Sequence, residues 1–151
     1  MKYIECPEIY LPNRNEKSIF LAGGISGCLD WQQEMKDLLS QTNLTLVNPR
    51  RKNFVKTPEN DFEQINWEFN HFPKTSASLF YFPPETLCPI TLYELGVQNS
   101  HLKPLFIAIH PDYQRKLDVE IQTKLARPDV KIVSSLEDLA GQIKDWARWY
   151  S

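Results

Sequence analysis

Cysteine is scarce in this chain: Cys6, Cys28 and Cys88 are all there is, an odd and widely spaced set with no CxxC pair. A disulfide framework or a zinc knuckle is therefore not expected, and the count suits a reducing cytosol. Histidine is as sparse, and His71, His101 and His110 are too scattered for a metal-ligand pattern. Basic tracts are missing too. The densest is Arg50-Arg51-Lys52, and a net charge of −2 with a pI near 5.9 argues against a nucleic acid polymer or an anionic membrane as partner. No apolar run approaches the roughly 20 residues of a membrane helix. Met1 to Pro12 lacks the basic start and long apolar core of a signal peptide. Repeats, low-complexity tracts and linkers are also absent. What remains is a cytoplasmic, small-ligand protein.

The 151 residues are 42% hydrophobic and 24% charged, which suits one compact domain over residues 1–151. Short strand-like runs alternate with longer helical ones. Ser18 to Ala22 reads as a first strand, ended by Gly23-Gly24. Trp31, Met35, Leu38 and Leu39 then recur at helical spacing. Leu44 to Val47 is a second strand. Phe62, Ile65, Phe69 and Phe72 predict a helix with those residues on its buried face, and Pro73 ends it. Ser78 to Phe82 is a third strand, and Pro89 suits the first turn of a helix reaching about Asn99. Leu105 to Ile109 and Val130 to Val133 complete five strands. Ser135 is the candidate N-cap of a last helix carrying Leu136, Leu139, Ile143, Trp146 and Tyr150 on one face. Alternation of this kind implies right-handed crossovers and a mainly parallel sheet covered on both sides. The expectation is a flavodoxin-like three-layer α/β sandwich with five strands in the order 2-1-3-4-5. Its ligand site belongs beyond the carboxyl ends of the strands, at Gly23–Asp30, Asn48–Asn60 and Pro83–Pro89.

Three stretches near that edge carry candidate chemistry. Ala22-Gly23-Gly24-Ile25-Ser26-Gly27 follows the first strand, and its glycines let a ligand lie against backbone N–H groups. They serve a tight strand-to-helix turn equally well, and the stretch is neither a Walker loop nor GxGxxG. Cys88-Pro89-Ile90-Thr91-Leu92-Tyr93-Glu94-Leu95-Gly96 sets Glu94 on a mostly apolar helix, where a carboxylate is desolvated, paired or used. The alternative is a glutamate reaching the surface. Gln64-Ile65-Asn66-Trp67-Glu68 places Glu68 at the edge of the buried face, with solvation again the alternative. Trp67 is either core or a stacking face for a base. Two carboxylates aimed at one cleft can cleave a bond at an anomeric carbon, one attacking and one protonating the leaving group.

In order and spacing these residues resemble the nucleoside 2-deoxyribosyltransferase family, particularly its 2-deoxyribosyltransferase-like branch. The resemblance runs through Ile19–Ile25, Asp30-Trp31-Gln32, Asn48-Pro49-Arg50-Arg51, Gln64–Glu68 and Cys88–Gly96. It implies a flavodoxin-like fold, Glu94 as nucleophile on C1′ of a 2′-deoxynucleoside, and Glu68 as the acid–base group. The best-known members have aspartate at the Glu68 position. Phe20 stands where they place a tyrosine that holds the nucleophile, and Cys88 where they carry a base-contacting aspartate. Base recognition then falls to Asn48, Arg51, Asp61 or Trp67, with Gly23, Gly24 and Ile25 forming the loop against the substrate. In the family a polar residue from a neighbouring subunit binds the 5′-hydroxyl. Asp118 is the candidate here, and it implies a homo-oligomer with shared sites.

The expected function is nucleoside 2′-deoxyribosyltransfer, exchanging purine or pyrimidine bases through a glycosyl-enzyme on Glu94. Its partners are nucleosides and free nucleobases, with no metal or organic cofactor. The family also holds hydrolases of nucleoside 5′-monophosphates. The charge of Asp118 disfavours a phosphate, whereas the Gly23–Gly27 loop with Ser26 suits one. The competing readings are an N-glycosidase acting on nucleosides or their 5′-monophosphates, and a non-catalytic nucleotide-binding module on the same fold.

Overall fold

The computed structural model describes residues 1–148. Tyr150, expected on the last helix, lies outside the described residues. The elements run β1 (Lys2–Glu5), β2 (Ser18–Gly23), α1 (Trp31–Leu38), β3 (Thr45–Asn48), α2 (Pro58–His71), a 3-10 turn (Phe72–Lys74) and β4 (Ala77–Phe82). They continue with α3 (Pro89–Gln98), β5 (Leu105–Ile109), α4 (Lys116–Ala126), β6 (Ile132–Val133) and α5 (Leu136–Arg148).

The strands form one parallel sheet in the order β1-β3-β2-β4-β5-β6. Five of them, β3-β2-β4-β5-β6, reproduce the expected 2-1-3-4-5. The sixth, β1, corrects the strand count: it pairs with β3 from Lys2↔Thr45 to Glu5↔Asn48. Its sequence, KYIE, is four residues flanked by charge, too short and too polar to announce a strand. It forms because β3 offers it an open edge.

Side chains alternate across the sheet with the two-residue period of a strand. Phe20, Ala22, Val47, Phe80, Phe82, Ile107 and Ile109 face one way, against Trp67, Leu95 and Val119 of α2, α3 and α4. Ile19, Leu21, Leu46, Leu79, Phe106 and Ala108 face the other, against Trp31 and Met35 of α1 and Leu136, Leu139 and Ile143 of α5. These are the three layers of a flavodoxin-like sandwich. Local signals fix where the helices start. Asp30 accepts from the Gln33 N–H at 3.1 Å, Thr57 from the Asn60 N–H at 3.2 Å with Pro58 next in line, and Ser135 from the Asp138 N–H at 3.2 Å.

The facing of α2 departs from expectation. Phe62, Ile65 and Phe69 are 71%, 63% and 78% exposed, while Trp67, His71 and the following Phe72 are buried. The apolar stripe seen in the sequence lies on the opposite side of the helix from its packed face. Polar contacts hold the inward phase. The Trp67 indole Nε1 donates to the Glu8 carbonyl at 2.8 Å, His71 Nδ1 lies 2.6 Å from the Trp67 carbonyl oxygen, and the two rings stack. Glu68 consequently lies between the packed side and the exposed stripe, one helical turn after Ile65.

Candidate active site

The carboxyl ends of β2, β3 and β4 open onto a cleft of two adjoining lobes. The first, about 400 Å3, is lined by Ala22–Ser26, Pro49, Lys56, Thr86, Cys88–Thr91, Glu68 and Glu94. The second, about 320 Å3, is lined by Arg51, Phe54, Asp61, Gln64 and Ile65. It shares Ile25, Ser26, Pro49, Lys56, Glu68 and Ile90 with the first. A hollow of about 610 Å3 between α4 and α5 is larger, but none of the charged side chains that line it is buried. The two-lobed cleft, with two half-buried carboxyls at a sheet switch point, is the better candidate.

Its walls follow from local sequence. Gly23 and Gly24 are demanded by close approach. A Cβ on Gly23 would sit 2.5 Å from the Trp31 ring and 2.6 Å from the Tyr81 carbonyl oxygen, and one on Gly24 2.8 Å from Pro83. The Gly24 carbonyl accepts from the Trp31 indole at 2.8 Å. The tight-turn reading and the ligand-wall reading of this loop are thus compatible. Arg50 clamps the next stretch, donating to the Leu29 carbonyl at 3.0 Å, the Cys28 carbonyl at 3.2 Å and Gln32 Oε1 at 3.1 Å. Cys88, buried at the start of α3, holds φ +52° directly before Pro89. That left-handed conformation is costly for a non-glycine residue and is typical of strain kept at functional clefts.

Glu94 projects from the middle of α3 into the first lobe. Burial, and after it the negative charge of Glu68, push its carboxyl up to about 8. Among the described residues no side chain donates a hydrogen bond to it. This accords with Phe20, fully buried in the core, where a hydroxyl donor was expected to be missing. Glu68 lines both lobes from α2. Burial raises its pKa, and a hydrogen bond from Gln64 lowers it. One pocket therefore holds an unassisted carboxyl and a supported one within electrostatic reach of each other. Such a pair can divide attack at a carbon from delivery of a proton.

The other expected residues separate into two groups. Gly23, Gly24 and Ile25 line the first lobe, and Arg51 and Asp61 the second. Arg51 also pairs with Glu63 at 2.7 Å and lies over the Phe54 ring at 5.5 Å. Asn48 does not line either lobe. It is buried and spent on structure, its amide donating to the Tyr3 hydroxyl at 2.7 Å and accepting from the Arg50 N–H at 3.0 Å. Trp67 is core. Asp118 is exposed on α4, paired with Arg115 at 2.9 Å, and lines neither lobe of its own chain. Gln64, Lys56 and Thr91 line the cleft without having been singled out in the sequence. Only Gln64 left a signal, lying one helical turn before Glu68. Among the described residues no group of three His, Cys, Asp or Glu side chains is placed to hold a metal ion, and no helix is long and apolar enough to cross a membrane.

A family model described as nucleoside 2-deoxyribosyltransferase like matches residues 16–113. That span runs from just before β2 to just past β5 and contains both lobes and both glutamates, while Asp118 falls outside it. No curated protein matches the chain.

Proposed function

The chain belongs to the nucleoside 2-deoxyribosyltransferase-like family, and from that premise we propose that it transfers 2′-deoxyribose between nucleobases by double displacement. The observation that carries the reading is the convergence of Glu94 and Glu68 on one cleft. Glu94 lines only the first lobe, whereas Glu68 sits where the lobes join. The sugar accordingly lies in the first lobe against Gly23–Ser26, and the base in the second among Arg51, Asp61 and Ile65. Before attack, Glu94, whose raised carboxyl holds the proton of the pair, passes it to Glu68, and the carboxylate so formed bonds to C1′ as the C1′–N bond breaks. The electron pair stays with the base nitrogen, which takes the proton held by Glu68. A second base then gives its N–H proton back to Glu68 and displaces Glu94 from C1′.

Apolar residues on the outer surface support a homo-oligomer. Phe62, Ile65 and Phe69 on α2, Ile90, Tyr93 and Val97 on α3, and Leu117, Ile121 and Leu125 on α4 are all exposed. They give one helix layer an apolar outside as well as an apolar inside, which marks an association surface. Ile65 and Ile90 belong both to this surface and to the cleft lining. A second copy seated there would complete the mouth of the site, and the proposed role of Asp118 at its neighbour's substrate depends on such a copy.

One feature favours a second reading, hydrolysis of nucleoside 5′-monophosphates. Lys56 lines both lobes beside Ser26 and the glycine loop, a setting that suits a phosphate. Incubating 2′-deoxyinosine, 2′-deoxyadenosine or thymidine with a second free base tests the first reading by the appearance of the exchanged nucleoside. Free deoxyribose from nucleosides, or deoxyribose 5-phosphate from monophosphates, with no exchanged product, supports the second. Ligand binding without turnover of any of these would make the chain a binding module.

A further inference from the structure

We propose that Gln64 is the positioning residue of the acid: it pins Glu68 Oε1 as an acceptor, so that Oε2 is the oxygen that carries and delivers the proton. The delivery step rests on the transferase reading, whereas the pinning does not. Gln64 Nε2 donates to Glu68 Oε1 at 2.7 Å and to the Pro49 carbonyl at 2.7 Å, and Gln64 Oε1 accepts from Cys6 Sγ at 3.2 Å. A glutamine amide has two N–H donors and one carbonyl acceptor, and all of them are engaged here.

The orientation of that amide is fixed by its neighbours. The Pro49 carbonyl can only accept. The Cys6 thiol, pushed up to about 12 mainly by burial, stays protonated and donates. Turning the amide over would set its oxygen against the Pro49 carbonyl, which has no proton to give, and its NH2 against the thiol proton. With the N–H aimed at Oε1, a proton on that oxygen would face a donor, so it resides on Oε2. Once Glu68 has given its proton away, the same N–H supports the remaining charge. The contact thus serves both halves of the proton cycle.

The assembly also gives a purpose to the edge of the sheet. Cys6 follows β1 and Pro49 follows β3, so two neighbouring strand ends hold one side chain of α2. Other charged or titratable groups at this cleft are Glu94 from α3, Arg51 and Lys56 from the segment between β3 and α2, and Asp61 from α2. They remain unchanged in the variants below.

The test uses the full chain in two arms. In the first, 13C-carboxyl NMR follows the Glu68 titration, assigned by its disappearance in Glu68→Gln. Gln64→Met keeps the length and helix propensity but removes the donor, and it should move the Glu68 midpoint to higher pH. Gln64→Asn, too short to span both acceptors, should move it the same way and serves if the first variant folds poorly. An unmoved midpoint in a folded variant overturns the proposal. In the second arm, base release from 2′-deoxyinosine needs a proton, whereas release of nitrophenolate from 4-nitrophenyl 2-deoxyriboside does not. Gln64→Met should lower kcat on the first about 10- to 100-fold with KM little changed, and leave the second near wild type. Equal losses on both substrates overturn it as well. If wild type cleaves neither substrate, the functional reading fails, and the NMR arm still decides the role of Gln64.

Discussion

The two walls of the cleft treat their carboxyls differently. On the α2 wall, Glu68 is tied through Gln64 to Pro49 and Cys6, a chain that crosses from helix to sheet edge. On the α3 wall, Glu94 points into the cavity with no donor among the described residues, and its carboxyl is raised to about 8. A group that must take and return a proton gains from a fixed orientation in both protonation states. A group that must bond to carbon gains from having no hydrogen bond to give up. The difference teaches that the assignment of roles rests on what supports each carboxyl and not on burial, which both share.

Removing the unsupported group should have the largest effect. Glu94→Ala is expected to lower base exchange by at least about 10^3-fold with an unchanged circular dichroism spectrum. Exchange near the wild-type rate would remove Glu94 from the chemistry. Glu68→Gln should cost about 10^2- to 10^3-fold on natural nucleosides and far less on a substrate whose leaving group needs no proton. Because the charge of Glu68 is the second cause of the raised Glu94 value, the same variant should also move the Glu94 titration down.

Stability should shift more modestly and in the opposite sense to activity. The folded chain binds a proton on Glu94 more tightly than the unfolded chain, whose carboxyl titrates near the ordinary glutamate value of 4.5. Folding is therefore increasingly penalised as pH rises from that value through about 8. Glu94→Gln removes the penalty. Its melting midpoint should exceed wild type by about 5 °C at pH 8, and the gain should fade toward pH 4.5. Equal melting midpoints at both pH values would show that Glu94 is not held in a desolvated setting. The smallest effect on the fold itself is expected at the outer surface. Phe69→Asp, at a position 78% exposed, should shift sedimentation toward the monomer while changing the fold's own stability by no more than about 0.5 kcal/mol.

Much of this arrangement was legible in the sequence because strong patterns carried it. The strands from β2 to β5 are apolar runs closed by glycine, asparagine or proline, and the last helix begins just after Ser135, the cap read from the sequence, whereas α4, polar on most of its surface, was not foreseen. Glu94 was visible as a carboxylate on a mostly apolar helix and Glu68 as one at the edge of an apolar stripe, and the family resemblance tied them together. Periodicity also gave α2 correctly as a helix, yet it reported the wrong face as buried. A repeat of Phe62, Ile65 and Phe69 says that a stripe exists, and nothing local says whether the protein's own core or another surface covers it. β1 escaped notice because a four-residue strand owes its formation to pairing with β3, an interaction that no window on the chain contains. The same holds for the support of Glu68. Cys6 lies 58 positions from Gln64, so the contact exists only once the sheet has placed β1 beside β3. Asn48 misled for a related reason, since a polar residue at a strand end serves a ligand or a turn equally well until its partners, here Tyr3 and Arg50, are seen.

The most direct measurement is to trap the sugar on the chain. Wild type is incubated with a 2′-deoxy-2′-fluoro nucleoside, whose fluorine slows the second displacement, then denatured, digested and examined by mass spectrometry. The account predicts one equivalent of fluorosugar, ester-linked to the peptide containing Glu94, lost in Glu94→Gln and released when a free base is added before denaturation. Base release that continues with no adduct, or an adduct on any other residue, would contradict it.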